Sequence, residues 1–237
     1  MAQASEPAGP RYPSFKDTRK ARDCAFSDDA LRLYWPLEDV FPSAISVFSD
    51  EQTPGELEPF FQPVSDGSGS GTWHEIAKLP ITTSKVSSIV AELHGLDQWE
   101  PDWVAWHECH DSAEFTTYGD LSDEDRPYAK EQKEDGSWEE DSDTEFLIRC
   151  CGEERPLYKR GPFRLKITPS FGNDFVNIYD YVSAVHPWLM SLRDDFLRYA
   201  TVARPGYYVR SVHNTKWMIG EGPDHEIFTE ETWRRSI

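Results

Sequence analysis

Apolar residues at Ile178, Val182, Val185, Leu189, Leu192, Phe196 and Tyr199 are spaced alternately four and three apart, which draws one stripe along an α-helix. Asp180, Ser183, His186, Ser191, Asp194, Asp195 and Arg198 mostly fill the opposite face. Asn177 is placed to cap the first turn, because its amide oxygen can accept from an orphan backbone N–H. Val176 and Tyr181 occupy the two positions of a hydrophobic staple. Pro187 falls inside the stripe, where it removes one hydrogen bond and crowds the carbonyl of Ser183. Since the stripe continues on both sides, the pattern predicts one long helix over about 177–199, kinked at His186-Pro187-Trp188 rather than divided.

Alternation with a period of two marks strands. Phe163-Arg-Leu-Lys-Ile167 alternates cleanly, Phe146-Leu-Ile-Arg-Cys150 fits the same pattern, and Lys85–Leu93 is rich in β-branched residues. Tyr207–His213 and Lys216–Ile219 flank Asn214-Thr215 and predict a hairpin. Ser27 caps a short helix that Pro36 ends, and Thr229–Arg235 offers a last helical turn. Around Trp99–Asp111 the pattern is ambiguous. As a helix opened near Pro101, it puts Trp99, Trp103, Trp106 and His110 on one face. As a strand, it groups Trp103, Ala105, His107 and Cys109. Together these elements predict an α+β fold, a mainly antiparallel sheet packed by the long helix.

Composition divides the chain further. Residues 1–25 are rich in Pro, Gly, Ser and Ala, and read as a disordered arm whose second half is basic through Arg11, Lys16, Arg19, Lys20 and Arg22. That half has acidic surface available in the same molecule on which to fold back. Residues 26–237 read as a single domain with an exposed loop at about 62–72, where prolines precede Asp66-Gly-Ser-Gly-Ser-Gly71. A second loop at about 120–145 holds twelve acidic residues against three basic ones. Aromatic residues make up 14% of the chain, which supplies a core that the aliphatic content alone would not.

The net charge of −19 disfavours phosphate backbones and anionic membranes, and favours a basic protein partner. Four cysteines, two of them adjacent, do not make a disulfide framework for 237 residues. The first residues lack the basic and apolar regions of a signal peptide, and no apolar run reaches membrane-spanning length. A cytoplasmic or nuclear location is expected.

Candidate chemistry concentrates in Trp106-His107-Glu108-Cys109-His110-Asp111. His107 and His110 project to one side of a helix and can supply two ligands to a divalent metal such as zinc. The remaining ligands would come from His186, His213, Cys150 or Cys151, the residues of suitable type. The segment is not an HExxH motif, because the second histidine comes one residue early. Residues 67–71 match no phosphate loop, and no nucleophile elbow is present. Trp103 and Trp106 with His107 and His110, and His186 and Trp188 at the proline, are the candidate binding residues. Cys150 and Cys151 read as small apolar strand residues.

Pro162-Phe-Arg-Leu-Lys-Ile-Thr-Pro169, followed by Phe175–Leu189, resembles intracellular fungal domains of unknown function. In those domains a strand ending near "ITP" leads into a "VTV-x-D-V-L" helix start, matched here by Val176, Ile178, Asp180 and Val182. No functional residue carries over from the resemblance; what bears on function is the negative charge concentrated at about 120–145 and the absence of a catalytic motif. The chain is therefore expected to be a non-catalytic binding or scaffold protein without a cofactor. The alternatives are a metal-dependent enzyme or a small-molecule-binding protein with an aromatic-lined pocket near His107 and His110.

Overall fold

The computed structural model describes residues 11–20, 24–49, 55–65, 69–108, 110, 114–122, 146–156, 163–202 and 214–236. In chain order, these begin with α1 (Phe15–Lys20), α2 (Asp28–Leu31), β1 (Leu33–Tyr34), β2 (Ser46–Phe48), β3 (Leu57–Pro59), β4 (Phe61–Pro63), β5 (Gly71–Trp73) and β6 (Ile89–Leu93). Next come α3 (Trp99–His107), β7 (Phe115–Thr117), β8 (Leu147–Cys150), β9 (Glu153–Glu154) and β10 (Arg164–Ile167). The last are α4 (Ile178–Ser191), α5 (Arg193–Val202), β11 (Trp217–Ile219), β12 (Asp224–His225), β13 (Ile227–Thr229) and α6 (Glu230–Arg234). The fold is α+β, and every strand pairing among the described residues is antiparallel except β12 beside β6.

Two compact units emerge. One draws on Met1–Leu96, Pro162–Arg198 and Val209–Ile237, the other on Asp97–Gly161 and Tyr199–Tyr208. In the larger unit α4 packs on β10 and on the helical turn Glu75–Lys78. Its inner face is the expected stripe: Ile178, Val182 and Val185 are fully buried, and Leu189 nearly so. Asn177 accepts from the Asp180 N–H at 2.7 Å while the Asp180 carboxylate accepts from the Asn177 N–H at 3.3 Å, a reciprocal cap that starts the helix. In β6, Ile89, Ala91 and Leu93 turn inward and alternate with the more exposed Val90 and Glu92, as a half-buried strand requires. β10 and β12 flank it on either edge.

The single kinked helix over 177–199 is corrected. Pro187 lies within α4 without ending it, because buried side chains on both sides hold the helix against the loss of one bond. The break falls at Leu192. There the Leu192 N–H turns back to the Leu189 carbonyl at 3.0 Å, and Ser191 Oγ donates to the Trp188 carbonyl at 2.7 Å. These tight bonds close α4, and α5 starts afresh at Arg193.

Other expectations shift locally. Residues 11–20, expected in a disordered arm, contain α1 with Phe15 buried, and the Phe15 N–H donates to Ser88 at 2.8 Å. Arg11 and Arg19 pair with Asp174 and Asp224 at 2.8 and 2.7 Å, so this basic stretch lies on acidic residues of its own unit. Of the expected loop at 62–72, residues 62, 63, 71 and 72 belong to the paired strands β4 and β5, and 66–68 lie outside the described residues. β11 pairs with β13, whereas the partner expected for it, residues 207–213, lies outside the described residues. So does the acidic tract from residue 123 to 145.

The smaller unit is a meander, β7-β8-β9, with α3. Pro101 sits in the first turn of α3, where its missing N–H would have had no intrahelical partner. Arg155, after β9, donates through Nε to Glu100 at 2.8 Å and through a terminal nitrogen to the Leu147 carbonyl at 3.2 Å. Its guanidinium also lies 3.5 Å from the centre of the Phe146 ring. That one side chain ties the start of α3 to the meander. The Tyr118 N–H donates to Phe146 O at 2.7 Å, so the residue after β7 is held against the residue before β8.

Candidate metal centre

The C-terminal end of α3 meets the thiols of the β8–β9 turn. Trp99, Trp103 and His107 form the buried face of α3, while Trp106 is 43% exposed. The helix closes at His107, and His110 lies beyond it, its N–H donating to the His107 carbonyl at 3.1 Å. His110 therefore shares a tight turn with His107 rather than the tryptophan face of a helix. The Trp103 ring packs on His107 with centroids 4.3 Å apart, Trp106 meets His110 edge-on at 5.5 Å, and the two imidazoles are 5.0 Å apart.

Cys150 and Cys151 complete the cluster. Consecutive residues of a strand point to opposite faces, which would separate these thiols. Cys150 is the last residue of β8 and is buried. Cys151 enters the turn with φ of 54°, a left-handed conformation that costs a non-glycine residue about 1–2 kcal/mol. That turn brings the two sulfurs within 3.8 Å. His110 Nδ1 lies 3.1 Å from Cys151 Sγ and 3.8 Å from Cys150 Sγ. One donor atom from each of His107, His110, Cys150 and Cys151 falls within 4.8 Å of every other.

A tetrahedral zinc with Zn–S of about 2.3 Å and Zn–N of about 2.0–2.1 Å sets sulfurs about 3.8 Å apart, and sulfur and nitrogen about 3.5 Å apart. The sulfur pair meets that spacing, and the two His110–sulfur distances bracket it. His107 adds a second mark. Its residue is only 4% exposed, yet neither ring nitrogen makes a hydrogen bond among the described residues, a condition that ordinarily costs a buried polar group about 1–3 kcal/mol. Nε2 is 3.5 Å from a Glu153 carboxylate oxygen, close enough for attraction but outside hydrogen-bonding alignment. Burial holds the His107 imidazole below its ordinary pKa, Glu153 opposing and His110 adding to the shift. Burial, with the neighbouring Cys151 thiol, pushes the Cys150 thiol up.

His186 belongs to the larger unit and to a different chemistry. Trp35 Nε1–H donates to His186 Nδ1 at 2.9 Å, and because an indole only donates, the ring proton sits on Nε2 and reaches the Asp39 carbonyl at 3.2 Å. Both nitrogens are occupied, so His186 is a satisfied core residue; Trp188, two residues on, is half-buried. Nearby in the same unit His225 is fully buried. Its Nδ1–H donates to the Gly220 carbonyl at 3.1 Å, which leaves Nε2 to accept from the Tyr181 hydroxyl at 2.8 Å. Burial lowers the His186 pKa and takes that of His225 down to about 4. His213, the other histidine considered as a ligand, lies outside the described residues.

The local class is thus a two-histidine, two-cysteine cluster on a helix–meander unit. No protein-family model matches the chain, and neither curated proteins nor solved structures give a significant match.

Proposed function

We propose that the chain is a non-catalytic, zinc-binding protein of the cytoplasm or nucleus, in which His107, His110, Cys150 and Cys151 hold one ion. The reading is carried by the mutual spacing of the four donor atoms, all within 4.8 Å. Mixed nitrogen and sulfur donors select zinc among the common divalent ions, and four protein ligands leave no open position for substrate or water. The ion is structural. It fastens the end of α3 to the β8–β9 turn, as Arg155 fastens the start of α3 to the same meander. The net charge of −19 supports the accompanying role, engagement of a basic protein partner.

Metal analysis of protein purified under mild conditions is expected to find about one zinc per chain, falling below about a tenth in the Cys150→Ser/Cys151→Ser variant. Cobalt substitution should add sulfur-to-metal charge-transfer absorption, which the variant lacks. Wild-type protein with less than about a tenth of an equivalent of metal, or a variant that keeps its full complement, would falsify the reading.

A further inference from the structure

We propose that Cys150 and Cys151 are also a redox-active dithiol, oxidised by hydroperoxides to a disulfide between adjacent residues that expels the metal. This rests on the zinc reading, and its geometric basis is the turn that sets both sulfurs side by side. A metal-holding role alone does not require ligands at consecutive positions, and a strand would point them apart. Here the left-handed Cys151 brings the sulfurs to 3.8 Å, and no third residue intervenes between them.

The two thiols differ in access. Cys151 is exposed and Cys150 is buried. An oxidant arriving from solvent therefore meets Cys151 first, and Cys150 stands behind it as the resolving sulfur. Coordination holds both as thiolates, the nucleophilic form. The Cys151 sulfur attacks the terminal peroxide oxygen, so an S–O bond forms, the O–O bond breaks, and hydroxide, or the alkoxide of an organic hydroperoxide, leaves to take a proton from solvent. The Cys150 sulfur then displaces the oxygen on Cys151. An S–S bond forms, the S–O bond breaks, and the oxygen leaves as hydroxide, which is protonated to water. The sulfurs lose two electrons and the peroxide gains them. Two thiolates, one hydroperoxide and two protons give one disulfide, with water and the alcohol or second water as products.

Both sulfurs thereby stop being anionic ligands. His107 and His110 remain, too few to hold zinc in a four-coordinate site. The bond is built to be undone. Adjacent Cα atoms lie about 3.8 Å apart across a trans peptide, less than the usual separation of about 4.4–6.8 Å in a disulfide, and such strain favours reduction. Thiol reductants should therefore restore the metal site.

The test uses the full chain with Cys24→Ser and Cys109→Ser, leaving only the two thiols in question. Its zinc content is measured first. Hydrogen peroxide is then added at about one equivalent, the balance of the step above, while a chromophoric chelator records free zinc and mass spectrometry records the peptide carrying Cys150 and Cys151. The expected result is zinc release in step with the loss of two hydrogens from that peptide, and recovery of both thiols and zinc binding with dithiothreitol. Zinc that stays bound after oxidant, or leaves with oxygen added to the sulfurs and no disulfide, overturns the redox proposal and leaves the zinc reading standing. A chain that carries no zinc at the first measurement overturns the zinc reading itself, and with it metal expulsion.

Discussion

Replacing His225 by Gln isolates the acid sensitivity of the larger unit. The imidazole is enclosed, with Gly220 O accepting from Nδ1–H and the Tyr181 hydroxyl donating to Nε2, and its pKa falls from 6.5 to about 4. Because the folded value is depressed, the folded state refuses a proton that the unfolded chain accepts. The associated stability is complete above about 6.5 and is lost as pH falls towards 4. At roughly 1.4 kcal/mol per pH unit the whole interval is worth about 3 kcal/mol, a large fraction of a typical stability of 5–15 kcal/mol. Glutamine can offer a carbonyl to Tyr181 and an amide N–H to Gly220 without titrating. Urea unfolding of both proteins across this interval, with hydrogen exchange of residues 217–229 assigning the transition, measures the difference. The wild type should lose about 3 kcal/mol relative to His225→Gln, most steeply midway between the two values and levelling off as pH passes below about 4. Parallel stability profiles would refute the reasoning, because shared carboxylates and His186 titrate in both proteins.

Two further substitutions probe the framework. Asn177→Ala removes the side chain that accepts from the Asp180 N–H and should cost about 1–2 kcal/mol in urea unfolding, with little change in the metal content of the smaller unit. Gly220→Ala would set a Cβ 2.8 Å from the Glu226 carbonyl and 2.7 Å from the Phe228 ring, so β11 and β13 must part. A loss of about 1–3 kcal/mol is expected, with faster hydrogen exchange in 217–219 and 227–229, and an unchanged exchange pattern there would contradict the packing.

The parts of the fold legible in the sequence are those fixed by neighbours along the chain. Asn177 as a cap, the stripe from Ile178 to Leu189, and the alternation in Arg164–Ile167 all follow from spacing. The break at Leu192 did not, because the stripe is indifferent to whether its residues belong to one helix or two, and the proline drew attention five residues too early. The cluster was legible by half. His107 and His110 are close in sequence, and cysteines were among the residue types considered, but bringing Cys150 and Cys151 to them depends on β8 pairing with β7 and on a positive φ that spacing cannot express. The Tyr181–His225 contact had no sequence signal. It depends on β12 lying parallel to β6, a pairing that joins segments more than a hundred residues apart.

The hydrogen bond from Tyr118 to Phe146 has a consequence for how the chain can be edited. It ties the residue after β7 to the residue before β8, so the register of these two strands is held at that point by the described residues themselves. Joining two points through n residues costs about (3/2)RT ln n, so cutting the sequence between Tyr118 and Phe146 to a quarter should change the cost by only about 1 kcal/mol, in favour of folding. β8 leads from Phe146 to Cys150 in four residues, Leu147–Cys150. The bond from Tyr118 is thus one short strand away from Cys151, the only exposed cysteine among those described, and a change that loosens it should be felt at the thiols.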